Sequence, residues 1–211
     1  MTQKVETLLP IMQAQPVIPV LKVDNIAHAV PLARALAAGG LNAIEVTLRT
    51  PIALNAIEKI ANEVPEVIVG AGTILNAKHY KQAEKAGARF IVSPGLSLNL
   101  IDAANNSDVP LLPGAITPSE FIVAMENGYS YLKFFPAEQA GGINFIKALA
   151  SPFADLHFCP TGGISIQNAK QWLDLPNVIC IGGSWVAPNE LIISGNWLEI
   201  TKLAQEASHL S

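Results

Sequence analysis

Eight short β-rich runs, each followed by a longer helical pattern, predict an α/β fold and, within that class, a (β/α)8 TIM barrel with an extra N-terminal helix. Three observations carry this expectation. The alternation runs from Val17 to the C-terminal segment with no linker, low-complexity tract or charge run, so residues 1–211 read as a single domain. Half of the residues are apolar and only 14% are charged, as suits parallel strands buried on both faces. The first strand leads into Lys22-Val23-Asp24, not the Gly-rich turn that usually opens the rival doubly wound sheet. At 211 residues the chain is short for such a barrel, which requires short connecting loops.

The N-terminal helix is expected over Lys4–Met12. The first strand, Val17–Leu21, precedes an Ala/Leu-rich helix from Asn25 to Ala38 that stops at Gly39-Gly40. The second, Ala43–Leu48, leads to a helix over Pro51–Glu63, with Thr50 as N-cap and Pro51 in the first turn. The third, Val67–Ala71, is followed by a helix from Asn76 to Ala86 stopped by Gly87, and the fourth, Arg89–Ser93, by one from Ser97 to Asn105. The fifth, Pro110–Pro113, precedes a helix from Pro118 to Asn127 closed by Gly128. The sixth, Tyr131–Phe135, leads to a helix over Gly142–Ala150, and the seventh, Leu156–Thr161, to one over Ser165–Asp174. The eighth, Val178–Ile181, is followed by helical material from Asn189 and a last helix over Leu198–Ala207.

Composition excludes several function classes. A net charge of −4 with no Lys/Arg-rich block argues against a nucleic-acid surface. No apolar run is long enough to span a bilayer, and the segment Met1–Pro16 lacks the pattern of a signal peptide, so a cytoplasmic protein is expected. Cys159 and Cys180 lie in apolar runs and read as buried thiols in a reducing compartment. His28, His79, His157 and His209 show no metal-ligand spacing, so neither metal nor cofactor is expected.

Side-chain alternation then brings candidate chemistry together. In the second strand Ile44, Val46 and Leu48 form an apolar face for the helices, which sends Ala43, Glu45, Thr47 and Arg49 inward. In the sixth, Leu132 and Phe134 face the helices while Tyr131, Lys133 and Phe135 point inward. The same rule sets Val69, Ala71 and Thr73 on one inward face, and His157, Cys159 and Thr161 on another. Arg49, Thr73 and Thr161 fall at C-terminal strand ends, where barrels place their chemistry, with Glu45 and Lys133 slightly deeper. Ion pairs that merely filled an interior would stabilise it poorly compared with apolar packing, so the inward cluster reads as functional. A neutral lysine amine is the nucleophile that attack on a ketone requires.

Gly70-Ala71-Gly72-Thr73, Thr161-Gly162-Gly163-Ile164-Ser165 and Gly182-Gly183-Ser184 are Gly-rich turns at strand ends. The last two follow the seventh and eighth strands, where backbone N–H groups and a helix N-terminus commonly hold a phosphate. Ser93-Pro94-Gly95 and Pro113-Gly114 shape the mouth of the site, and Glu120 and Glu138 read as charges near helix N-termini.

Gly70-Ala71-Gly72-Thr73 and Ser93-Pro94-Gly95, together with Glu45-Val46-Thr47-Leu48-Arg49-Thr50, Lys133-Phe134-Phe135-Pro136-Ala137-Glu138, Phe158-Cys159-Pro160-Thr161-Gly162-Gly163-Ile164 and Ile181-Gly182-Gly183-Ser184-Trp185, resemble the bacterial 2-keto-3-deoxy-6-phosphogluconate (KDPG) aldolases, also active as 4-hydroxy-2-oxoglutarate (KHG) aldolases. The resemblance covers nearly every strand end from 17 to 186 and is silent over 97–109 and 187–211. It implies a metal-free class I aldolase, usually a homotrimer, acting on a small 2-keto acid phosphate. By resemblance, Lys133 forms the Schiff base and Glu45 is the general acid/base. Arg49 and Thr73 bind the pyruvate-derived part, and Gly162, Gly163 and Ser184 the phosphate; Pro94, Phe135, Thr161, Gly182 and Gly183 complete the expected site. The alternatives are the galactonate-derived epimer as substrate, a sugar-phosphate isomerase or epimerase on the same barrel, and a non-catalytic phosphometabolite-binding barrel.

Overall fold

Eight strands form among the described residues, seven at the expected runs and the eighth displaced toward the C-terminus: β1 (Val17–Leu21), β2 (Ala43–Thr47), β3 (Ile68–Gly72), β4 (Ile91–Val92), β5 (Leu111–Leu112), β6 (Tyr131–Phe134), β7 (His157–Pro160) and β8 (Ile181–Gly183). The computed structural model describes residues 3–210, so the extreme ends of the expected domain, 1–2 and 211, lie outside the described residues. The helices are α1 (Val5–Gln13), α2 (Ile26–Ala38), α3 (Ala53–Glu63), α4 (Ala77–Lys85), α5 (Leu98–Asn105), α6 (Pro118–Glu126), α7 (Gly142–Leu149), α8 (Ala169–Leu173), α9 (Asn189–Ser194) and α10 (Trp197–Ser208).

Every strand pairing is parallel. Six strands form a sheet in the order β5-β4-β3-β2-β1-β8, and β6 and β7 form a separate pair. The two sheets touch through single bridges, Gly114 to Lys133 on one side and Phe158 to Val178 and Thr161 to Gly182 on the other.

Helix starts follow local side-chain chemistry. Asn25, Asn76 and Ser97 each accept a backbone N–H of the first turn of α2, α4 and α5. Thr117 and Glu120 make a reciprocal capping box on α6. Thr50 departs from expectation: its hydroxyl donates to the Val23 carbonyl at 2.8 Å, so it is not a cap, and α3 opens at Ala53. The expected Ser165–Asp174 helix contracts to α8, because Asn168 holds the Ser165 N–H and keeps the preceding segment a turn. The eighth strand shifts from 178–181 to Ile181–Gly183, since the backbone reaches β1 only where the Ile181 N–H donates to Pro16.

Two apolar clusters occupy the two faces of the strands. Ile44, Val46, Leu132 and Phe134 join the helices in the larger cluster. Ile18, Ala43, Phe90, Val92, Leu112, Cys159 and Cys180 form the smaller one, covered by Leu8, Ile11 and Met12 of α1. Two buried glutamines tie this N-terminal segment to strand starts. Gln15 donates to the carbonyls of Val17 and Ala43 and accepts the Ala43 N–H, and Gln3 does the same between Leu111, Ser130 and Tyr131. These bonds satisfy ladder groups at the N-terminal strand ends and leave the C-terminal ends for the site. Cys159 and Cys180 are both free and buried.

One expected face is inverted. Val69 and Ala71 pack with the helices, and Gly70 and Gly72 hold the inward positions of β3. A side chain there has no room: a Cβ on Gly70 would enter the Phe90 ring, and one on Gly72 would overlap Glu45.

Candidate active site

A buried lysine–glutamate pair comes from β2 and β6. Lys133 Nζ lies 3.3 Å from Glu45 Oε1 and 3.5 Å from Oε2. Both residues are almost wholly buried, with 6% of Lys133 and 3% of Glu45 exposed. Burying a charge is costly unless it is paired, so each group requires the other. Lys133 Nζ also sits 5.5 Å from the centroid of the Phe135 ring, within reach of a cation–π contact.

Around this pair lies a cavity of about 190 Å³. It is lined by Val20, Glu45, Thr47, Arg49, Thr73, Pro94, Lys133, Phe135 and Thr161. Seven of these are site residues expected from the sequence. Thr47 and Val20 are not among them, although strand alternation sets Thr47 on the inward side with Glu45 and Arg49. Thr47 positions the arginine. Its hydroxyl donates to the Leu21 carbonyl at 2.7 Å and accepts from Arg49 Nε at 2.9 Å. One edge of the guanidinium is thereby held, while its two terminal nitrogens, which have no hydrogen-bond partner among the described residues, can meet a planar carboxylate.

Thr73 reaches the cavity by a different route from the one expected. It has φ of 59°, the only non-Gly residue in the left-handed region among the described residues. That turn breaks the alternation of β3, which is why Thr73 lines the cavity although Val69 and Ala71 face away from it.

Gly162, Gly163, Gly182, Gly183 and Ser184 do not line this cavity; they form the adjacent turns after β7 and at the end of β8. Gly162 and Gly163 have φ of 102° and 77°, a backbone that favours glycine. Thr161 binds the two turns together: it bridges to Gly182, and a Cβ on Gly182 would collide with its hydroxyl. Glu120 caps α6, whereas Glu138 accepts hydrogen bonds from Asn168 and Trp172 beside the Gly162-Gly163 turn. Among the described residues no group of three His, Cys, Asp or Glu side chains could hold a metal ion.

A buried amine beside a carboxylate, next to a pinned guanidinium, can take a 2-keto acid, add to its carbonyl and move protons. Comparison with known proteins identifies the class. The family model for KDPG and KHG aldolases matches residues 9–203. The chain is 52% identical to the 2-dehydro-3-deoxy-phosphogluconate aldolase of Pseudoalteromonas atlantica, covering 91% of this chain and 89% of that protein. It is 50% identical to the KHG/KDPG aldolase of Escherichia coli, covering 93% and 92%. Its structure superposes with a TM-score of 0.92 on the KDPG aldolase of Legionella pneumophila, at 45% identity over 94% of this chain and 96% of that one. That crystal structure holds pyruvate captured as a covalent carbinolamine intermediate. The chain belongs to the KDPG and KHG aldolase family.

Proposed function

We propose that this aldolase, a carbon–carbon lyase, reversibly cleaves KDPG into pyruvate and glyceraldehyde 3-phosphate through an imine on Lys133, and also cleaves KHG into pyruvate and glyoxylate. The observation that carries the assignment is the buried Lys133–Glu45 pair lining the cavity. The Lys133 amine adds to the C2 ketone, and the carbinolamine loses water to give a protonated imine. That cation is an electron sink: the C3–C4 bond breaks, its electron pair enters the imine as an enamine, and the C4 hydroxyl proton passes to Glu45 directly or through water. Protonation of the enamine carbon and hydrolysis then release pyruvate and restore the amine. Arg49, held by Thr47, binds the substrate carboxylate with Thr73 beside it. Phe135, Pro94 and Thr161 wall the cavity, and the adjacent turns carrying Gly162, Gly163, Gly182, Gly183 and Ser184 take the phosphate.

The same reading extends to architecture. The single bridges at Gly114–Lys133 and Thr161–Gly182 support joining the two sheets into a closed (β/α)8 barrel built as one domain over residues 1–211. A homotrimer in the cytoplasm that needs no cofactor completes the proposal. It is supported by the family resemblance.

Borohydride treatment in the presence of pyruvate tests the mechanism. The expected result is a reduced pyruvyl adduct on the peptide carrying Lys133. An unchanged mass, or an adduct on another lysine, overturns it.

A further inference from the structure

Glu138 and Asn168 form a connected unit behind the Gly162-Gly163 turn. The Glu138 N–H donates to the Gly162 carbonyl at 3.2 Å, and Asn168 Nδ2 donates to the Gly163 carbonyl at 3.2 Å. Asn168 Oδ1 accepts the Ser165 N–H at 2.8 Å, which holds the far end of the turn. Asn168 is itself held by Glu138, whose Oε1 accepts from Asn168 Nδ2 and from Nε1 of the fully buried Trp172, both at 3.2 Å. The stem of Glu138 also packs against Gly163 so closely that a Cβ on Gly163 would overlap its Cγ.

A peptide unit is planar and trans, so its C=O and N–H point in opposite directions. Holding the Gly162 carbonyl toward Glu138 therefore turns the Gly163 N–H the other way, and holding the Gly163 carbonyl toward Asn168 does the same for the Ile164 N–H. Neither of these two N–H groups has a protein acceptor among the described residues. The Glu138 carboxylate would repel a phosphate if it swung to the same side, but Trp172 and Asn168 hold it on the other side of the turn.

We infer that Glu138 and Asn168 are positioning residues for phosphate recognition: they orient the backbone N–H groups of Gly163 and Ile164 toward the substrate phosphate and keep the nearby carboxylate away from it. The inference rests on the phosphate assignment made above. A positioning role predicts a loss confined to phosphorylated substrate, which a general structural role does not.

The test compares kcat/KM for KDPG with that for KHG, which has no phosphate. Asn168→Ala should lower the KDPG value about tenfold, mainly through KM, the equivalent of losing one well-placed hydrogen bond. Glu138→Ala keeps the main-chain bond to the Gly162 carbonyl but releases Asn168, and should lower it in the same direction. The KHG value should stay within about a factor of two, below the cost of one such bond. Glu138→Gln keeps an acceptor for Asn168 and Trp172 and should retain the wild-type ratio. Asn168→Ser, which loses the amide donor with a smaller change of volume, gives the same reading if an alanine variant does not fold. A parallel fall for both substrates, or an unchanged ratio, overturns the positioning role. A wild-type enzyme inhibited equally by glyceraldehyde 3-phosphate and glyceraldehyde would instead overturn the phosphate assignment, and this inference with it.

Discussion

Lys133 and Glu45, 88 positions apart in the chain, are held 3.3 Å from each other with both side chains out of water. β6 and β2 belong to different sheets, and nothing local to either strand brings the two groups together. If Glu45 moves protons during cleavage, Glu45→Gln should lower kcat by about 10²- to 10⁴-fold, the range that general acid–base catalysis supplies. Pyruvate should still be trapped on Lys133, more slowly. Steady-state kinetics with mass spectrometry of the reduced adduct checks both outcomes.

Gly72 makes room for that carboxylate. A Cβ on Gly72 would overlap Glu45 Oε1, and the φ of Gly72 is not in the left-handed region, so the constraint is steric. Gly72→Ala should displace Glu45 from Lys133 and lower kcat much as Glu45→Gln does. It should also cost about 1–3 kcal/mol of stability, as forcing a methyl group into a packed site does. Activity assays paired with urea unfolding separate these two effects.

Thr47 lines the cavity and holds Arg49 by a hydrogen bond to its Nε. Thr47→Val keeps the shape but removes both the acceptor for Arg49 Nε and the donor for the Leu21 carbonyl. KM for the keto acid should rise about tenfold with a smaller change in kcat, and Thr47→Ser should restore most of the loss, one positioning hydrogen bond being worth about 1 kcal/mol. Equal losses in Thr47→Val and Thr47→Ser would point to packing instead of positioning.

The α6 capping box gives a pH dependence with a definite sign. Burial tends to raise the Glu120 pKa, but hydrogen bonds from the Ile116 N–H, the Thr117 hydroxyl and the Thr117 N–H outweigh it and hold the carboxyl below its ordinary 4.5. The folded value is thus the lower one. The stabilisation is fully present above the unfolded pKa and is lost as pH falls through the folded one. Thermal unfolding of wild type and Glu120→Gln should show wild type ahead near neutrality, with the gap closing in acid.

The alternation of β2 and β6 is legible because covalent geometry alone puts successive side chains on opposite faces. Ile44, Val46 and Phe134 accordingly pack against helices while Glu45 and Lys133 face the cavity. Helix starts at Asn25, Asn76 and Ser97 are legible for a similar reason, since a cap acts within its own first turn. Legibility ends where a residue's partner is remote. Thr50 looks like a cap but serves Val23, and the apolar 178–180 run looks like strand, yet β8 begins where Pro16 accepts its backbone. Alternation sets Thr73 inward for the wrong reason, because a positive φ cannot be read from a threonine.

Short-range geometry and composition, both present in the bare chain, settle the number and order of the β-rich runs and the facing of β2 and β6. They also settle the residue types on offer: a lysine between aromatics, an inward glutamate, an arginine at the C-terminal end of a strand. Packing alone settles that Glu45 needs the space left by Gly72, that Thr47 ties Arg49 to the Leu21 carbonyl, and that Gln3 and Gln15 tie the N-terminal segment to strand starts. It likewise settles that Glu138 and Asn168 take the outward carbonyls of the Gly162-Gly163 turn. Most of these contacts join groups far apart in the chain, and their geometry exists only once the intervening strands and helices have packed.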